Sequence, residues 1–201
     1  MKSLALVASL LLSLNFASGA SAQALGPEEL VKQVTADVLG TIQSDKQLQA
    51  GDRKKALALA EQKILPYVDF REAALLATGK AWGTATSAQQ TQIVNEFRAL
   101  LVRIYSNAVG IYHGQTLKVL PLNLAPGASE ATVRNRYISG EGGRPPVAVN
   151  YSMKKDAEGW KIYDITVEGV SLVLTYRGEF EQITRVSGVD GLIKALQQKN
   201  A

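Results

Sequence analysis

The stretch GWKIYDITVEGVSLVLTYRGEF, residues 159–180, begins with a strand pattern and changes to a helix pattern after one glycine. In its first half apolar and polar residues alternate with a period of two. Strict alternation predicts one strand face that carries Lys161, Tyr163, Ile165 and Val167. Gly169 interrupts the alternation, and apolar residues then recur at helical spacing, at Val173, Tyr176, Phe180 and Ile183. The pattern predicts a sheet face that meets a helix over apolar side chains, which in most proteins is ordinary core.

The first 22 residues have the features of a secretory signal peptide. Lys2 precedes an apolar run from Leu4 to Phe16, and small residues follow and end at Ala22. The run is shorter than the roughly 20 apolar residues that a membrane span requires, and no comparable run follows it. We therefore expect cleavage after Ala22, which leaves residues 23–201 as a soluble mature domain outside the cytoplasm. An uncleaved N-terminal anchor is the alternative.

Charge and cysteine content exclude several classes of protein. The chain has 22 Lys and Arg residues against 18 Asp and Glu, a formal net charge of +4, and removal of residues 1–22 takes away only Lys2. No cluster of basic residues with interleaved aromatic residues is present, so we expect no nucleic-acid partner. The sequence contains no cysteine. Stability in an oxidising compartment must therefore come from a hydrophobic core, which a chain of this length can build.

Helical patterns dominate the first half of the chain and strand patterns the second. Helical spacing and end signals predict helices over Pro27 to Ser44, Arg53 to Leu65, Asp69 to Leu76 and Thr86 to about Val109. The last of them has two overlapping capping boxes at its start, Thr86 with Gln89 and Ser87 with Gln90. Alternating segments separated by hairpin signals then predict four strands, which are residues 115–121, 130–139, 146–154 and 159–167. Two closing helices are predicted over residues 171–186 and 190–198. We therefore predict a single α+β domain with an antiparallel sheet of about four strands and helices from both chain ends.

Residues suited to catalysis are scarce. His113 is the only histidine, no nucleophile elbow accompanies it, and no cluster of ligands suits a metal. Asp164 could act as a base in a buried pocket, although a surface ion pair with Arg134 or Arg136 is the simpler interpretation. Glu28 and Glu29 suit the first turn of a helix. We expect neither an enzyme nor a resident cofactor or metal.

Residues 68–109 and 159–200 resemble the MlaC family, also called the toluene-tolerance auxiliary family of periplasmic phospholipid-binding proteins. The most specific matches are Val68-Asp69-Phe70, Trp82, Gln90 with Phe97, Trp160-Lys161-Tyr163-Asp164 and Glu168-Gly169-Val170-Ser171. The resemblance implies a curved sheet of the nuclear-transport-factor type with extra helices. It also implies a monomer that encloses phospholipid acyl chains as cargo. It further implies lipid shuttling between an outer-membrane lipoprotein–porin complex and an inner-membrane ABC transporter complex, which maintains outer-membrane lipid asymmetry.

Under this resemblance, the apolar residues of the sheet and of the long and closing helices are candidates for the cavity wall, with a plain core role as the alternative for each. The candidates are Phe70, Leu76, Trp82, Phe97, Leu101, Ile104, Tyr105, Val147, Val149, Tyr151, Tyr163, Ile165, Val167, Val170, Leu172, Val173, Tyr176 and Phe180. Trp160 is placed by the alternation with Asp164, away from the cavity. Three other functions stay open at this point: a carrier of a hopanoid-like lipid, an enzyme of the related cone-shaped fold, and an adaptor that binds only proteins.

Overall fold

A computed structural model describes residues 25–105, 116–139 and 145–201. The helices in these ranges are α1 (Pro27–Ser44), α2 (Lys46–Gln49), α3 (Arg53–Lys63), α4 (Phe70–Thr78), α5 (Ser87–Tyr105) and α6 (Arg177–Asn200). The strands are β1 (Thr116–Val119), β2 (Glu130–Ile138), β3 (Val147–Asp156), β4 (Gly159–Val167) and β5 (Val170–Ser171). Short 3₁₀ helices cover Leu65–Tyr67, Gly79–Thr84 and Leu174–Tyr176. The predicted signal peptide, His113 and the predicted end of the long helix lie outside the described residues.

The helix ends follow the chemistry of their capping residues. The carboxylate of Asp69 accepts a hydrogen bond from the backbone N–H of Glu72 and so caps α4. Thr86 and Gln89 form the predicted capping box, in which each side chain accepts from the other residue's backbone N–H. Gly79 ends α4 with φ 56° and ψ −126°, a conformation that favours glycine. The predicted helices of the first half are therefore confirmed, and α2 is an additional short helix.

The five strands form one antiparallel sheet in the order β1-β2-β3-β4-β5. The predicted sheet is confirmed, with β5 as an additional two-residue strand. Glu168 and Gly169 connect β4 to β5, both with positive φ, in the two-residue turn that suits a twisted hairpin. The Glu168 backbone N–H also donates to the carbonyl of Ala148, which extends the pairing of β4 with β3.

A bulge in β4 overturns the strict alternation expected for this strand. Tyr151 pairs with Ile165 and Met153 pairs with Ile162, so Tyr163 is an extra residue without an opposite partner on β3. The side of the sheet that carries Tyr151 and Met153 is called the inner face below. It comprises Leu117, Val119, Ala131, Val133, Asn135, Tyr137, Val147, Val149, Tyr151, Met153, Trp160, Ile162, Ile165 and Val167. The placement of Trp160 with Asp164, away from this face, is therefore wrong.

Helix α1 packs on one end of the inner face. Leu30 and Val31 of the helix are buried in one cluster with Val133, Met153 and Trp160 of the sheet. Glu28 Oε2 accepts a hydrogen bond of 3.1 Å from the backbone N–H of Leu122 and fastens the start of α1 beside β1. This cluster is the core that joins the sheet to the N-terminal helices.

The other large core lies among α4, α5 and α6. Phe97 and Phe180 are fully buried with their ring centres 5.4 Å apart, and Tyr176 packs edge-on to Phe97 at 5.3 Å. α6 begins at Arg177, later than the predicted residue 171, because residues 170–176 form β5 and a 3₁₀ turn. Its backbone is non-helical at Gly188 (φ 67°, ψ −171°), which confirms the predicted break between two closing helices. None of the helices in the described ranges is both long and apolar enough to cross a membrane.

Candidate functional site

The inner face is covered unevenly along its strands. At the α1 end, Val133 and Met153 are completely buried. At the opposite end, Val147 is 40% exposed, and Val170, which pairs with Val167 at the sheet edge, is 56% exposed. The covering of the inner face by the described residues therefore decreases from the α1 end toward this end.

We define the distal half of the inner face as the residues away from α1: Asn135, Tyr137, Val147, Val149, Tyr151, Ile165 and Val167. Within the described ranges, Tyr137, Val149, Ile165 and Val167 belong to none of the three hydrophobic clusters and pack against none of them. Of these, only Val149 is buried, and the others are half-buried. Tyr151 packs against the cluster that joins α1 to the sheet. The other apolar residues of the distal half are not used for the packing of the described core.

Two tyrosines of the distal half lie deep in the molecule and still keep accessible surface. Burial raises the pKa of the Tyr151 hydroxyl well above its ordinary value, and it also raises the pKa of Tyr137. Both residues are nevertheless only half-buried. The surroundings of the two hydroxyl groups therefore disfavour a phenolate, while part of each residue's surface stays accessible.

A small polar cluster is embedded in this apolar surface. The hydroxyl oxygens of Tyr137 and Tyr151 are 2.9 Å apart and share a hydrogen bond. Asn135 is 1% exposed, and its Nδ2 donates to the backbone carbonyls of Val133 at 3.0 Å and Val149 at 3.1 Å. These two bonds fix the orientation of the amide, and its Oδ1 has no hydrogen-bond partner among the residues that the structure describes. Buried polar atoms without a partner are rare in proteins.

The structure brings one group of the predicted cavity residues together on the distal half. These are Val147, Val149, Tyr151, Ile165 and Val167. Tyr137 and Asn135 belong beside them and were not among the candidates. The alternation of β2 contained the signal for both, because they follow Ala131 and Val133 at a spacing of two.

A second group lies in the helical core instead. Trp82, Phe97, Val173 and Phe180 are buried there, and Leu76, Leu101 and Tyr176 pack against them. Burial, together with the hydrogen bond that Tyr105 makes with Tyr176, raises the pKa of Tyr176 to about 12. For this group the described contacts are those of a protein core, and contact with a lipid remains a prediction.

The remaining candidates are scattered. Phe70 lies under the guanidinium of Arg98, 5.5 Å from ring centre to Cζ. Ile104 is 43% exposed, and the backbone N–H of Leu172 donates to Ile165. Tyr163 is the bulge residue of β4, away from the inner-face register. Lipid contact by these residues, and by Val170 at the edge, likewise remains a prediction.

Asp164 has a structural position. Its carboxylate is 6% exposed and accepts a hydrogen bond of 3.1 Å from the backbone N–H of Val173, which ties β4 to the segment that follows β5. It lies on the face opposite to the inner face, since Ser152, its partner on β3, alternates with Tyr151 and Met153. No group of metal-ligating side chains occurs in the described parts of the chain.

Comparison with known proteins gives consistent matches over most of the chain. A solved structure of a phospholipid-binding protein from Ralstonia solanacearum, in complex with a phospholipid, superposes with a TM-score of 0.77 at 34% identity. The match covers 88% of this chain and 97% of that one. The MlaC binding protein of an intermembrane phospholipid transport system from Haemophilus influenzae is 22% identical over 86% of this chain and 81% of its own length. The toluene tolerance protein ttg2D of Pseudomonas putida is 26% identical over 82% of this chain and 75% of its own length.

The family described as MlaC protein matches residues 32–198, which include all five strands and most of the six helices. This span holds both the sheet with its inner face and the helical core. The resemblance seen in residues 68–109 and 159–200 is thereby confirmed. The chain belongs to the MlaC protein family.

Proposed function

We propose that this protein binds a phospholipid, with acyl chains against the distal half of the inner face and the headgroup in water. The observation that carries the proposal is a group of apolar residues on neighbouring strands that belong to none of the described core clusters, Val149, Ile165 and Val167. The phospholipid bound in the related Ralstonia structure supports the choice of ligand.

The size of the hydrophobic term explains why an enclosed surface is needed. Hiding an acyl chain of about 16 carbons from water is worth roughly 12 kcal/mol, at about 0.8 kcal/mol for each methylene. Valine and isoleucine side chains such as Val149 and Ile165 replace that water without offering a competing polar group. An open groove would lose most of this free energy, so the tails must be covered on all sides.

We further propose that the protein is exported to the periplasm and carries lipid between outer-membrane and inner-membrane complexes of the Mla type, which maintains outer-membrane lipid asymmetry. The signal-like residues 1–22 and the name of the Haemophilus relative support this role. A bilayer shelters acyl chains as well as the cavity does, so net transfer free energies are small. Direction is then set by partner complexes that distort the cavity. Equally fast delivery to protein-free liposomes and to the transporter complex would contradict this mechanism.

Mass spectrometry of an organic extract tests the proposed ligand directly. The protein is purified from its native host without detergent, extracted, and compared with an unrelated exported protein from the same preparation. We expect diacyl phospholipid at close to one molecule for each chain. A sterol-like lipid would assign a different cargo, and an extract without lipid would favour the adaptor that binds only proteins.

A further inference from the structure

The polar cluster in the distal half has hydrogen-bonding capacity that the described residues leave unused. Tyr137 and Tyr151 together carry two hydroxyl protons, and their mutual bond at 2.9 Å uses one of them. No other hydrogen-bond partner of either hydroxyl occurs among the described residues. One tyrosyl proton is therefore available to an acceptor outside the pair.

Asn135 adds a second, independent sign that this place holds a polar group. Its Oδ1 is buried without a partner, and its amide cannot turn over, because Oδ1 would then face the carbonyl oxygens of Val133 and Val149. Asn135 lies opposite Val149, between the strand positions of Tyr137 and Tyr151. A purely apolar filling of this region would leave the tyrosyl proton unsatisfied, which folded proteins avoid. An acceptor on the ligand satisfies that proton, whereas the amide oxygen needs a donor such as water.

The position of the cluster suits the junction between the tails and the headgroup of a lipid. Tyr137 pairs with Val147, which is 40% exposed, at the outer end of the inner face. Tyr151 lies four residues beyond Val147 along β3, next to the completely buried Met153 on the same face. The hydroxyl pair therefore stands between the exposed rim of the face and its buried interior. In a diacyl phospholipid, the groups at that level are ester carbonyls, which accept hydrogen bonds and donate none.

We propose that Tyr137 and Tyr151, with Asn135 beside them, form a polar subsite that donates a hydrogen bond from a tyrosyl hydroxyl to an ester carbonyl of the bound phospholipid. This inference rests on the proposed function and adds to it a selectivity for ester-linked lipids. The apolar residues around the pair hold either kind of lipid tail, and the hydroxyl distinguishes an ester from an ether.

The test compares two lipids that differ only in this group. Delipidated protein is titrated with a diacyl phospholipid and with its dialkyl ether analogue of the same headgroup and chain length. Because one net hydrogen bond is at stake, the wild-type protein should bind the diacyl lipid about 2- to 12-fold more tightly. In the Tyr137→Phe/Tyr151→Phe double variant the two affinities should become equal, while the affinity for the ether lipid stays unchanged. Tyr67→Phe is the matched control, because Tyr67 packs against the cluster that joins α1 to the sheet, outside the distal half. This variant should keep the preference for the diacyl lipid.

The outcomes separate this inference from the proposed function. Absence of binding of either lipid by the wild-type protein would overturn the proposed function itself. Equal binding of both lipids by the wild type, or a preference that survives in the double variant, would overturn the subsite alone. If the double variant fails to fold, infrared spectra of the wild-type complex provide the readout. The ester carbonyl band should then lie at lower frequency than in the same lipid in a non-hydrogen-bonding solvent, and an unshifted band would contradict the inference.

Discussion

Substitution of Val167 by glutamate is expected to abolish lipid binding without unfolding the protein. Val167 is the last residue of β4, lies opposite Val149 on the inner face and is half-buried. A glutamate there can reach water in the lipid-free protein. Folding should therefore lose less than the 1.5–3 kcal/mol that full burial of a valine provides. With an acyl chain in place, the same carboxylate would be covered by hydrocarbon.

The penalty for covering that charge decides the size of the effect. An unpaired carboxylate in an apolar setting costs several kcal/mol even after relaxation, and each 1.4 kcal/mol is a factor of ten. We therefore expect the amount of phospholipid that copurifies to fall by about 100-fold or more, as measured by mass spectrometry of extracts for each mole of protein. Val186→Glu is the matched control, since Val186 is 80% exposed on α6, and it should leave the lipid content unchanged. Undiminished lipid in a folded Val167→Glu protein would show that the tails do not contact this end of the inner face.

Three further predictions concern the framework. Gly79→Ala should lower the free energy of unfolding by about 1–3 kcal/mol, because φ 56° with ψ −126° strains any residue with a Cβ. Gly83→Ala, with open space around its added methyl group, should be near neutral. Denaturant titration measures both variants, and equal effects would show that the backbone conformation of Gly79 does not require glycine. Asp164→Ala should lower the free energy of unfolding by about 1–3 kcal/mol, because the hydrogen bond from the Val173 N–H is lost. Asp164→Asn keeps an acceptor and should lower it by less in the same titration. A larger decrease for asparagine would show that the charge of Asp164 matters more than the hydrogen bond. The pKa of Tyr176 is raised to about 12, so its neutral hydroxyl stabilises the folded protein fully below about pH 10, and this stabilisation is lost as the pH rises toward 12. The melting temperature should therefore fall between about pH 10 and about pH 12, and it should fall by less in Tyr176→Phe than in the wild type.

The helices and the order of the strands were predictable from local signals. Asp69 and Gly79 mark the two ends of α4, and the Thr86–Gln89 pair marks the start of α5, because capping depends on side chains within a few residues. The α+β class followed from helical spacing before residue 105 and alternation after 115. Such features depend on the near neighbours of each residue.

The register of β4 was not predictable in this way. A bulge inserts Tyr163 without a partner on β3, and the rest of the strand shifts by one residue, so Trp160 joins the inner face. Nothing in a period of two reveals where one extra residue enters, since the bulge forms against the neighbouring strand. For the same reason, the sequence did not predict that Trp82, Phe97 and Phe180 lie in the helical core and not against the sheet. Apolar spacing does not indicate which of two cores a side chain enters.

The distal half was predictable only in its apolar members. Val149, Ile165 and Val167 were candidates, and so was Tyr151 of the polar cluster. Asn135 and Tyr137 were not candidates, because the alternation of β2 shows which face they share and not that they form a polar cluster there. Their importance comes from a diagonal contact between β2 and β3 and from an amide oxygen left without a partner. Those are properties of three-dimensional pairing.

The most direct test of the central claim is photocrosslinking with a phospholipid that carries a diazirine in one acyl chain, followed by peptide mapping. We expect adducts on β2, β3 and β4 at inner-face positions of the distal half, such as Tyr137, Val149 and Ile165. Excess unlabelled phospholipid should remove them. Adducts confined to the helical core around Phe97 and Phe180, or to polar surface outside the inner face, would contradict the claim that this half of the sheet holds the lipid tail.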